Sequence, residues 1–173
     1  MRSRSTAVLS VAALAALALA GCSAGSAGPG ASATKTPAPV VESSYASPAT
    51  VGDRTGVAGD DLQVWSASVP DSGAAASLGD PEAGNEWVTV NVAQWVATSG
   101  KTDVDAAPVL RSTADKAVEG KAVSPRAVAV PMTEGKLYTF VWSFQVPEAS
   151  ADASTLVLCT SAADDAACSS IAK

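Results

Sequence analysis

The chain has 173 residues, 47% hydrophobic but only 5% aromatic, with 17 acidic and 11 basic side chains giving a formal net charge of −6. That acidity argues against a nucleic-acid partner, because phosphates require a basic face. The absence of histidine removes Ser-His and Cys-His nucleophilic machinery and the commonest zinc ligand, so neither enzymatic activity nor a cofactor is expected.

At the N-terminus, Arg2 and Arg4 precede an apolar stretch, residues 7–20, too short to span a bilayer comfortably. It closes on Leu19-Ala20-Gly21-Cys22, a lipobox. Together these features resemble a bacterial lipoprotein signal peptide, the alternative being an ordinary signal peptide that ends in Ala-Gly-Cys. The resemblance implies that residues 1–21 are removed and that Cys22 is lipidated. The partner of this end of the chain is then the membrane, with the protein on its extracytoplasmic face. Each buried methylene adds about 0.8 kcal/mol, so two or more acyl chains make release slow. Loss of Arg2 and Arg4 takes the net charge from −6 to −8.

Residues 22–57 are rich in Ser, Ala, Gly, Thr and Pro and nearly devoid of large apolar side chains. This composition predicts a disordered tether, with an r.m.s. span of roughly 30–35 Å as a flexible coil. The Ser32 to Lys35 string and the Gly28-Pro29-Gly30 triplet imitate catalytic and phosphate-binding motifs, but lack the strands, helices and companion motifs such sites need.

Residues 58–173 have the size of one domain. Strands are predicted over residues 62–69, 86–95, 108–112, 126–132, 137–146 and 155–160. The second and fifth carry the clearest alternation. Val88, Val90 and Val92 share one face of residues 86–95, and Trp87, Thr89, Asn91, Ala93 and Trp95 the other. In the strand at 137–146, Tyr138, Phe140, Trp142, Phe144 and Val146 share a face. Turn-forming stretches separate the strands, and short capped helices are predicted after Ser112 and Ser161. The pattern predicts an all-β fold, an antiparallel β-sandwich, with a five- or six-stranded open barrel as the alternative.

Candidate sites are few. Cys159 and Cys168 are expected to form a disulfide, with a metal-binding pair as the alternative. The Asp60-Asp61 pair and the loop with Asp80, Glu82, Asn85 and Glu86 offer oxygen ligands, against the simpler reading of solvated turn carboxylates. If the Val88 face fills the core, Trp95, and with it Trp87, lies nearer solvent as a hot-spot anchor or sugar-stacking surface. The opposite reading packs both tryptophans under loops or the sandwich end.

Gly84 followed by Trp87 to Val92, and Gly135 followed by Phe144-Gln-Val-Pro147 with Leu156 to Leu158 beyond, carry a family resemblance. The domain resembles the telokin-like, immunoglobulin-like sandwich of secreted and lipid-anchored bacterial proteins. The resemblance implies an immunoglobulin-like fold and no catalytic residues. The function expected is a membrane-anchored, non-enzymatic binding module for an envelope protein or cell-wall glycan. The alternative is a lipoprotein that binds a small ligand or cation for a transporter.

Overall fold

A computed structural model describes residues 38–57, 59–123 and 128–173, all within the compact unit Thr36–Lys173. The expected signal peptide, Cys22 and the tether up to residue 37 lie outside the described residues. In chain order the strands are β1 (Val40–Val41), β2 (Arg54–Val57), β3 (Asp60–Ser68), β4 (Asn85–Trp95), β5 (Val109–Ser112), β6 (Glu119–Lys121), β7 (Tyr138–Pro147), β8 (Leu156–Cys159) and β9 (Cys168–Ser170). They form one sheet in the order β1-β2-β3-β4-β7 and a second in the order β6-β5-β8-β9. All the extended ladders are antiparallel except β1 with β2. The described residues form an all-β sandwich.

The sandwich follows from alternation on the long strands. Val88, Val90 and Val92 stand directly opposite Phe144, Trp142 and Phe140 in the β4–β7 ladder, and all six are buried. Leu62 and Val64 of β3 extend this inner face, and Leu110, Leu156 and Leu158 face it from the second sheet. Burying a side chain of this size contributes about 1.5–3 kcal/mol, so this one layer supplies the main driving force for folding. Trp142 is the largest fully buried residue, and its Nε1 donates to Gln94 Oε1 at 2.7 Å, which satisfies the polar atom the core encloses.

Each open side of the sandwich is bridged by a segment that touches both sheets. Beyond β6, Val123 exchanges backbone hydrogen bonds with Ser143 of β7. Gly120 permits this approach, since a Cβ there would lie 3.2 Å from Phe144 Cβ. On the other side, the chain leaves β1 beside β2 and then pairs Ala49 with Ser169 of β9. There Tyr45, Val157, Cys159, Ala166 and Cys168 form a second, smaller core.

This N-terminal segment corrects the expected boundary at residues 57 and 58. Residues 40–57 belong to the folded unit, two strands and the buried Tyr45 among them. Composition concealed it because the segment is held by backbone pairing, the buried Tyr45 and polar side chains such as Ser43 and Arg54, not by a long apolar face. Strands expected over 62–69, 86–95, 108–112, 137–146 and 155–160 are present as β3, β4, β5, β7 and β8.

The strand expected over 126–132 is not found in its described part. Pro131 makes only an isolated bridge with Thr102, while the Val130 and Met132 N–H groups bond to the Asp103 carboxylate and the Lys101 carbonyl. Proline lacks the N–H that a ladder needs, and the loop supplies the remaining partners. Neither capped helix forms. The Ser112 hydroxyl accepts from the N–H groups of Ala114 and Asp115 and closes a turn inside the β5–β6 hairpin, and Ser161 does the same for Ala163 between β8 and β9. Instead, one turn of helix, α1 (Ala75–Leu78), follows β3.

Candidate functional site

Trp87 and Trp95 lie on the outward face of β4, yet they are only 5% and 8% exposed. Of the two readings of these tryptophans, the one that packs them under covering segments holds, and the open binding surface is corrected. Trp87 is tied under the segment carrying α1. Its Nε1 donates to the Gly79 carbonyl at 2.9 Å, and the Asp71 N–H bonds to its own carbonyl at 2.7 Å. Trp95, at the far end of β4, lies beneath Arg54, whose guanidinium carbon is 4.0 Å from the ring centre.

Arg54 also forms a two-pronged ion pair with Asp61. Nε donates to Oδ1, Nη2 donates to Oδ2 at 2.8 Å, and the Gly59 N–H adds a third bond at 2.9 Å. The Asp61 side chain is fully buried, so its charge is tolerated only because every part of it is bonded. The backbone makes room for this. Gly56 sits directly opposite Asp61, and a Cβ there would approach Asp61 Cα and the Asp60 carbonyl at 2.7 Å. Its φ of +137° is a second reason for glycine at this position.

Beside this cluster a cleft of about 570 Å³ opens at one end of the sandwich, bordered by the β2–β3 turn, Trp95, Lys101 and the β8–β9 connection. Its rim carries Glu42, Asp60, Asp105 and Asp165. The pair expected as a cation ligand is divided between two cations, since Asp60 Oδ2 accepts from Lys101 Nζ at 2.9 Å and Asp61 binds Arg54. Among the described residues no three acidic or cysteine side chains converge as metal ligands.

Two acids near this end are held below the ordinary value of 3.8. The Thr102 N–H and hydroxyl both donate to Asp105, at 2.9 and 2.8 Å. Arg111, buried with its guanidinium over the Tyr45 ring, donates to Asp164 at 2.9 Å. Both stay ionised near neutral pH, which suits charge pairing and not proton donation.

Cys159 and Cys168 form a disulfide between directly paired positions of β8 and β9, in the smaller core. The tryptophan that does reach solvent is Trp65, 47% exposed, on β3. Sequence reasoning passed over it, although Leu62 and Val64 as inward residues already place Gln63 and Trp65 outward. A register shift between Val64 and Ser66 holds the indole there, and Trp65 Nε1 donates to Gln63 Oε1 at 3.2 Å. Among the described residues no helix is long and apolar enough to cross a membrane. No protein-family model, curated protein or solved structure matches the chain.

Proposed function

We propose that this protein is a lipid-anchored, extracytoplasmic binding module that recognises an envelope protein or cell-wall polymer without transforming it. The lipobox ending in Cys22 carries the reading, because it gives a small sandwich a fixed address. The fold supports it. Its interior is filled by side chains from both sheets, so recognition falls to the outer surface and the sandwich end. The end cleft lends less weight to a cation carrier, since its most enclosed carboxylate is already bonded to Arg54 and its neighbour to Lys101.

The address is tested by cell fractionation. Wild-type protein is expected in the membrane fraction and a Cys22→Ala variant outside it. A Cys22→Ala protein that still sediments wholly with the membrane would contradict the anchor.

A further inference from the structure

We propose that the end cleft is occupied by this chain's own Lys35, whose ammonium docks between the Glu42 and Asp165 carboxylates. The inference goes beyond the binding-module reading and stands if that reading fails. Lys35 is the only charged side chain in residues 23–41. It lies outside the described residues, three positions before Ala38, the first of them.

The cleft carries negative charge that the described residues leave uncompensated. Glu42, Asp60, Asp61, Asp105 and Asp165 line it, against the single ammonium of Lys101. Two of these carboxylates are already paired, Asp61 with Arg54 and Asp60 with Lys101. The hydrogen bonds to Asp105 come only from the neutral Thr102. Glu42 and Asp165 take no hydrogen bond or ion pair among the described residues. They come from separate segments, Glu42 following β1 and Asp165 lying between β8 and β9, and both border the same space. Like charges around a concave site concentrate a cation there.

Chain connectivity selects the occupant. The Ala38 carbonyl accepts from Arg54 Nη1 at 3.4 Å, and the same guanidinium covers Trp95 and binds Asp61, both of which line the cleft. The chain is therefore already at the margin of the cleft at residue 38. Three further residues reach up to about 10 Å, and the length of a lysine side chain adds to that, so the Lys35 ammonium can enter. An amine joined by so short a connection has an effective concentration on the order of millimolar, which a free basic ligand must overcome to displace it. A metal ion fits less well, because no three ligating side chains converge among the described residues. A cationic ligand that enters the cleft must then release the segment on the anchor side of the domain.

The test is zero-length carbodiimide cross-linking of the full chain in detergent, with mass spectrometry of the linked peptides. The Lys101–Asp60 pair, 2.9 Å apart and accessible, is the internal control. A Lys35–Asp165 amide link is the expected product, and it is the diagnostic one because Glu42 is close to Lys35 in sequence. Its yield should fall several-fold in about 1 M NaCl, where the screening length is about 3 Å. It should fall likewise in a Glu42→Gln variant, which weakens the dock and leaves Asp165 reactive. Formation of the control link without the Lys35–Asp165 link would overturn the proposal, as would a yield indifferent to both salt and Glu42→Gln. Equal linking of Lys35 to Glu82 and Glu148, which lie beside Asn85 and Gly84 at the opposite end of β4, would also overturn it. In a mixture of isotope-labelled and unlabelled protein, links between the two would place Lys35 in a neighbouring copy and contradict docking within one chain. Cross-linking on cells tests the binding-module reading independently, so the two can fail separately.

Discussion

At the scale of single residues, the buried Arg54–Asp61 pair is the most consequential interaction at the sandwich end. Asp61 is enclosed, and Arg54 both neutralises it and covers Trp95. Arg54→Ala is expected to destabilise the domain by about 3–5 kcal/mol in urea unfolding, because it leaves an uncompensated buried carboxylate. The double variant Arg54→Met with Asp61→Leu should be less destabilised than Arg54→Ala alone, since it removes both charges. A loss below about 1 kcal/mol for Arg54→Ala would show that the carboxylate finds water or another donor. None of this was legible in the sequence. Arg54 lies in a segment whose composition reads as tether, and its pairing with Asp61 depends on the β2–β3 register. The fates of Trp87 and Trp95 were hidden for the same reason, because their covers, Gly79 and Arg54, are set by tertiary structure. Trp65, by contrast, was readable from the alternation of Leu62 and Val64.

At the scale of elements, strand length decided what could be read. β4 and β7 announce themselves through long alternation, and their mutual register follows from matching the Val88 and Phe144 faces. The strands β1, β2, β6 and β9 have two to four residues each, and all but β1 include Gly or Ser, so their periodicity carries no signal. They exist because neighbouring strands offer unpaired backbone groups. The disulfide shows how such an element is held. It closes a loop with a sequence separation of 9, for which chain entropy gives about 2.5–3 kcal/mol. Cys168 also donates its N–H to Ser43 Oγ, and its carbonyl accepts from Ala49. Loss of the bridge should therefore loosen the N-terminal segment along with β9. Replacing both cysteines with serine is expected to lower stability by about that amount and to speed amide exchange at Ala49 and Ser170 first. Uniform exchange across the domain, with no early opening of that edge, would contradict the coupling.

At the scale of the whole molecule, the all-β class was legible because turn-forming stretches punctuate strands throughout residues 58–173, while the point where the domain begins was not. Folding starts by residue 40, so residues 22–39 connect the proposed anchor to the sandwich. Each side of the sandwich is bridged by a crossing segment at one residue pair, Val123 with Ser143 and Ala49 with Ser169. The cleft is lined by Glu42, Asp60, Asp105 and Asp165 together with Lys101, whereas Trp65 and Ser66 border a hollow that Lys173 also lines.

The most direct measurement is cross-linking on intact cells that express the lipidated protein, with mass spectrometry of the captured species and the Cys22→Ala form as control. The account predicts a reproducible envelope protein or wall fragment that is lost when the anchor is removed. Capture of the same species in equal amount by the unanchored form, or of nothing beyond abundant neighbours, would contradict it.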